Sequence, residues 1–90
     1  MSTSTLPKMP KRKQMPQYKV LLHNDDVNAE KDVINRLVEI AKLTEEEASK
    51  RTKEAALDGV SLILITHYEF AELLRDRFEA CNITVTFEPA

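Results

Sequence analysis

The stretch Tyr18-Lys19-Val20-Leu21-Leu22-His23-Asn24-Asp25-Asp26 constrains this chain more than any other. A short run of β-forming residues, apolar on both faces, passes without a spacer into three consecutive polar turn-formers. Asn and Asp end such a run because their side chains bond nearby backbone groups. Nowhere else in the sequence do side-chain acceptors follow a buried element so abruptly. The strand end is therefore the candidate working site, and the other segments are its scaffold.

A helix is predicted next, from about Ala29 to Ala41. Val33, Ile34, Leu37, Val38, Ile40 and Ala41 recur at helical spacing, with Lys31, Asn35, Arg36 and Glu39 facing out. Asn28 is the expected N-cap, and the helix should stop near Lys42. Thr44-Glu45-Glu46-Glu47 reads as a capping box opening a second helix to about Leu57, with Gly59 just beyond its C-terminus. The inner face of that helix is small and mixed: Ala48, Thr52, Ala55 and Ala56.

Val60 to Ile65 is a continuous apolar run between Gly59 and Thr66, which predicts a strand buried in the middle of a sheet. Thr66-His67-Tyr68-Glu69 reads as another capping box. It would open a third helix to about Ala80, with Phe70, Leu73, Leu74 and Phe78 as its inner stripe. From Ile83 to Glu88, Ile83, Val85 and Phe87 alternate with Thr84, Thr86 and Glu88, the pattern of a half-exposed strand. The resulting order is β-α-α-β-α-β. It predicts an α+β fold in which three helices pack on one face of a three-stranded antiparallel sheet. No internal repeat is present.

Ninety residues make one small domain. Residues 1–17 carry Pro7, Pro10 and Pro16 with few apolar residues, so they are expected to form a disordered arm before a core domain over 18–90. The arm holds Lys8, Lys11, Arg12 and Lys13 and no acid. The remaining nine basic and fifteen acidic residues leave the core near -6. That balance argues against nucleic-acid binding by the domain body, although the arm could touch something acidic. A single cysteine excludes an intrachain disulfide and fits a reducing, cytoplasmic setting. No apolar run approaches the roughly 20 residues of a membrane span, and residues 1–17 lack the apolar centre of a secretory signal.

Several chemistries find no support. One glycine does not make a phosphate-binding loop. Cys81, His23 and His67 share no metal-ligand spacing, so neither a metal nor another cofactor is expected. No sequence pattern sets a histidine beside a cysteine or serine nucleophile. Asn24, Asp25 and Asp26 remain. They could be a plain turn. A carboxylate beside an amide carbonyl, at the rim of a buried sheet, would also suit an ammonium group such as a peptide N-terminus.

"YKVLLHNDD", the apolar helix after it, Glu45 to Ala48, Gly59, Thr66 to Glu72 and the terminal "TVTFEPA" together resemble the ClpS family, adaptors of the Clp protease. The resemblance spans about residues 18–90, with the third helix several residues shorter than usual. It implies a non-enzymatic, cytoplasmic, monomeric adaptor that binds the N-terminal amine and first side chain of N-degron substrates. The adaptor would dock on the N-terminal domain of a ClpA- or ClpC-type AAA+ unfoldase, aided by a flexible arm. By alignment, Asn24 and Asp25 would bind the ammonium. Asn28, Glu30, Val33, Thr52, Ala55, Ala56 and Ile83 would line the side-chain pocket, and Glu69 would contact the unfoldase.

Some aligned positions depart from the family. Val27-Asn28-Ala29-Glu30 replaces the usual Tyr-Thr-Pro-Met, so a carboxylate stands where an apolar gatekeeper is expected. Thr52 replaces an apolar residue, and Ala56 replaces a histidine that shares the amine. Leu74 stands where a basic docking residue is common. Losing one hydrogen bond to a charged group costs about 1.5–3 kcal/mol. A diverged ClpS-like regulator that docks on the unfoldase without recognising N-degrons is thus the alternative. A ribosome- or nucleic-acid-contacting role, by fold analogy to the ribosomal stalk C-terminal domain, fits the acidic core least.

Overall fold

The computed structural model describes residues 15–90, in which β1 (Tyr18–His23) is the middle strand of a three-stranded antiparallel sheet. Most of the expected arm, residues 1–14, lies outside the described residues. The elements after β1 are α1 (Glu30–Ala41), α2 (Glu45–Asp58), β2 (Val60–Thr66), α3 (Tyr68–Glu79) and β3 (Val85–Pro89). β1 pairs with β2 from Tyr18↔Thr66 to His23↔Val60, and with β3 from Tyr18↔Pro89 to Leu22↔Val85. The β-α-α-β-α-β order and the helix-covered sheet are those expected from the sequence.

The strand in the middle is not the one expected. β2, read as central from its unbroken apolar run, is an edge strand, and Val60 and Ile65 are 39% and 49% exposed. The register shifts between Val20 and Leu21, leaving Ile63 as an extra residue on β2. A bulge of this kind sets two neighbouring side chains on one face. Ile63 is buried and Leu64 packs against the core. The bulge accounts for the apolar pair Ile63-Leu64, while Val60 and Ile65 are apolar yet exposed.

Val20 and Leu22 of β1 are buried against α2 and α3, which lie on the sheet, while α1 packs against those two helices. Ala48 and Ala55 present almost no side chain, so α2 can approach the sheet closely. The Thr52 hydroxyl donates to the Ala48 carbonyl at 2.8 Å, and Ser61 Oγ donates to the Arg51 carbonyl at 2.7 Å, tying β2 to α2. The Phe78 ring is fully buried beneath α3. At the start of β1, Tyr18, Tyr68 and Phe87 form an edge-to-face cluster with centroids 5.4–5.8 Å apart.

The helix ends show where local signals prevailed. The Thr44–Glu47 capping box forms as read, with Glu47 N donating to Thr44 Oγ1 and Thr44 N to Glu47 Oε1. The second expected box does not. Thr66 remains in β2 opposite Tyr18, and His67 caps α3 by accepting from Phe70 N through Nδ1. Within α3 the buried stripe is Ala71, Leu74 and Phe78, whereas Leu73 is 43% exposed. Three residues beyond α3, Asn82 adopts the left-handed region, with Ile83 N donating to the Phe78 carbonyl, so Ile83 precedes β3 rather than opening it.

Gly59 follows α2 at φ +90°, and its N–H donates to the Ala55 carbonyl. A Cβ there would meet nothing within 4 Å, so substitution costs backbone energy alone. Gly59→Ala should lower stability by about 1–2 kcal/mol, read as a shifted urea midpoint with unchanged slope. A neutral result would mean that the loop relaxes to negative φ.

Candidate functional site

The turn after β1 is held by backbone at both sides. His23 N donates to the Thr84 carbonyl and Asn24 N to the Gly59 carbonyl, at 3.1 and 3.0 Å. Asn24 is thereby fixed one step beyond the strand, with its side chain exposed. Asp25 then closes an Asx turn. Its Oδ1 accepts from the backbone N–H groups of Val27 and Asn28, both at 2.8 Å, and its Oδ2 accepts from Asn28 Nδ2 at 2.6 Å.

Asn28 is the fastener of this turn, a role not expected of it. It was read as the cap of α1, but the N-cap is Ala29, which makes no side-chain cap bond. Asn28 Nδ2 instead bridges Asp25 and the Asn82 carbonyl, the latter at 2.9 Å. The signal available in the sequence was the Asp-x-x-Asn spacing directly after the strand.

Partial burial pushes the Asp25 carboxyl up, but the hydrogen bonds from Asn28 backbone, Asn28 side chain and Val27 backbone outweigh it. They hold the group below its ordinary value, as an anion. A carboxylate offers about four lone-pair sites, and three are taken. One acceptor site therefore remains, on Oδ2.

These groups face a cavity of about 50 Å3 lined by Leu22, His23, Asn24, Asp25, Asn28, Glu30, Val33, Thr52, Ala55 and Ala56. β1, α1 and α2 thus bring together every expected amine-site and pocket residue but one. Ile83 is the exception, because the left-handed turn at Asn82 sends it into the core at 2% exposure. It borders two larger clefts of about 290 and 480 Å3 outside this cavity. Leu22 was not foreseen in the lining; it is the last inward residue of β1. Ala56 is exposed at the rim.

Fifty cubic ångströms exceeds one water's share of liquid volume, about 30 Å3, but is far below the roughly 300–1,000 Å3 of ordinary ligand pockets. The cavity takes an ammonium or a few methylenes. Among the described residues no group of three His, Cys, Asp or Glu side chains is placed to hold a metal ion. No helix among them is long and apolar enough to cross a membrane.

The family model of the ATP-dependent Clp protease adaptor protein ClpS matches residues 13–84. The chain belongs to the ClpS family. It is 42% identical to the ClpS adapter protein of Gloeobacter violaceus, over 99% of this chain and 98% of that one. It is 37% identical to the ClpS adapter protein of Synechococcus sp. (strain CC9902), over 87% of this chain and 76% of that one. The fold is similar to Agrobacterium tumefaciens ClpS2 bound to L-phenylalaninamide, with a TM-score of 0.80 at 20% identity, covering 86% of this chain and all of that one. As a ClpS chain it is an adaptor of the Clp protease.

Two docking positions read from the sequence lie on α3. Glu69 is exposed in its first turn. Leu74, expected where ClpS proteins commonly carry a basic residue, is 1% exposed and belongs to the core. The basic group is next to it, at Arg75, whose guanidinium bonds Asp76 at 3.0 Å and lies 3.9 Å from Glu72.

Proposed function

We propose that this ClpS chain is a non-enzymatic, cytoplasmic, monomeric adaptor that binds the N-terminal amine of N-degron substrates at Asn24 and Asp25. It delivers them by docking through the Glu69 end of α3 on the N-terminal domain of a ClpA- or ClpC-type AAA+ unfoldase, with residues 1–17 as the delivery arm. One observation carries the reading. The Asp25 carboxylate is locked by three hydrogen bonds, remains anionic and keeps an acceptor site on the lining of a small cavity. An ammonium brings three N–H donors, and charge-assisted bonds to a preset acceptor are the strong ones. Supporting it, a fold neighbour binds an amino-acid amide.

Calorimetry with free-amine peptides and their acetylated counterparts tests this reading. Binding that requires the free amine is expected; equal binding of both forms, or none, would remove the claim. A second variant sharpens it. Ala56 is exposed and lines the same cavity as Asn24 and Asp25, where an imidazole could take a further N–H of the amine. Ala56→His should tighten free-amine peptides about tenfold, the value of one good hydrogen bond to a charged group, and leave acetylated peptides unchanged.

The small cavity volume also favours a second reading, a regulator that docks on the unfoldase without taking an N-degron. Capture of a Clp N-terminal domain by a chain that binds no free-amine peptide would select it.

A further inference from the structure

The cavity at the strand end is chemically one-sided. Asp25 and Glu30 contribute carboxylates, Asn24 and Asn28 amides, Thr52 a hydroxyl and His23 an imidazole that bonds Thr86 Oγ1, while no lysine or arginine among the described residues lines it. Thr52 is only 7% exposed and gives its proton to the Ala48 carbonyl, so its remaining capacity is as an acceptor. Asn28 Nδ2 is already bonded to Asp25 and Asn82, which leaves the amide oxygen. Beneath these polar groups the floor is apolar: Leu22, Val33 and Ala55, all nearly fully buried.

Two kinds of first side chain can be compared against that geometry. A leucine or phenylalanine must enter wholly, into about 50 Å3, and would strip water from Glu30 without offering it a partner. An arginine or lysine needs the floor only for its thin methylene stem. Its charged head can remain at the rim, in water, against the exposed Glu30.

The geometry points to a cationic first residue: Glu30 selects arginine or lysine at the N-terminus of the bound peptide. This inference rests on Asn24 and Asp25 being the amine site. Because Glu30 is exposed, the pair it forms is modest and weakens with salt.

Fluorescence anisotropy on the full chain tests it, with peptides identical except for a first residue of Arg, Lys, Leu, Phe or Ala, and an acetylated Arg control. Arg and Lys peptides should bind about two- to fivefold more tightly than Leu, Phe or Ala at low salt, the value of an exposed ion pair, with the margin shrinking at about 0.5 M salt. Glu30→Gln preserves shape and should erase that margin, while Glu30→Met should shift preference toward Leu and Phe. Leu or Phe binding as well as Arg, or a ranking unmoved by Glu30→Gln, would overturn the specificity inference while leaving amine recognition intact. Equal binding of acetylated and free Arg peptides, or no peptide binding, would overturn both.

Discussion

Asp25→Ala should abolish free-amine peptide binding, by at least about a hundredfold in Kd. The substitution removes the anion that faces the cavity. It also leaves Val27 N and Asn28 N without their acceptor and Asn28 Nδ2 with the Asn82 carbonyl alone, so the turn that positions Asn24 loosens. The accompanying stability loss should resemble that of a lost cap, about 1 kcal/mol. Asp25→Asn keeps the shape and the oxygen that accepts from Val27 N and Asn28 N, while it removes the charge and the acceptor for Asn28 Nδ2. Titration calorimetry showing wild-type affinity in Asp25→Asn would exclude the carboxylate as the amine's partner.

The same group sets a pH dependence. Its folded-state pKa lies below the ordinary carboxyl value, so its stabilising contribution is complete above the unfolded value, near pH 4. The contribution is lost as the pH falls through the lower, folded value. Free-amine binding should therefore persist down to about pH 4 and fall away only in more acid solution. Binding that disappeared between about pH 6 and 7 would implicate a histidine instead.

Phe78→Ala should be the most damaging single core change, at about 3–5 kcal/mol in urea denaturation. Phe78 is fully buried, and its carbonyl accepts from both Cys81 N and Ile83 N at the turn into β3. Removing the ring leaves a cavity below the segment that presents the Asn82 carbonyl to Asn28. A small domain with a stability of roughly 5–15 kcal/mol has little margin after such a loss. Leu73→Ala, in the same helix but 43% exposed, should stay within about 0.5 kcal/mol. Similar losses for the two variants would contradict the Ala71-Leu74-Phe78 stripe.

Period and punctuation made much of this molecule legible. The spacing of Val33, Leu37 and Ala41 marks α1 whatever it packs on, and Thr44 with Glu47 caps α2 through contacts four residues wide. Gly59 fits a left-handed position that most residues avoid. The residues around the strand-end turn, with the family resemblance they carry, brought nearly all of the cavity lining into view. Each of these readings depends on chain-local chemistry or on an aligned pattern, so a linear string can hold it.

What the string could not hold was relative placement. Whether an apolar run is central or at an edge depends on which strand pairs on its far side, and among the described residues β2 has none. Whether Leu74 meets a partner or the core depends on the rotation of α3 over the sheet. Ile83 leaves the cavity because a left-handed Asn82 reverses the chain before it, and Asn28 gives up its cap because Asp25 and the Asn82 carbonyl are closer partners. The sequence by itself determined the elements, their order and the acceptors at the end of β1, because those follow from side-chain type and local spacing. Only the tertiary structure decided that the space beside Asp25 is small and that Ile83 lies outside it, because both depend on how α1, α2 and the turn at Asn82 are placed around the strand end.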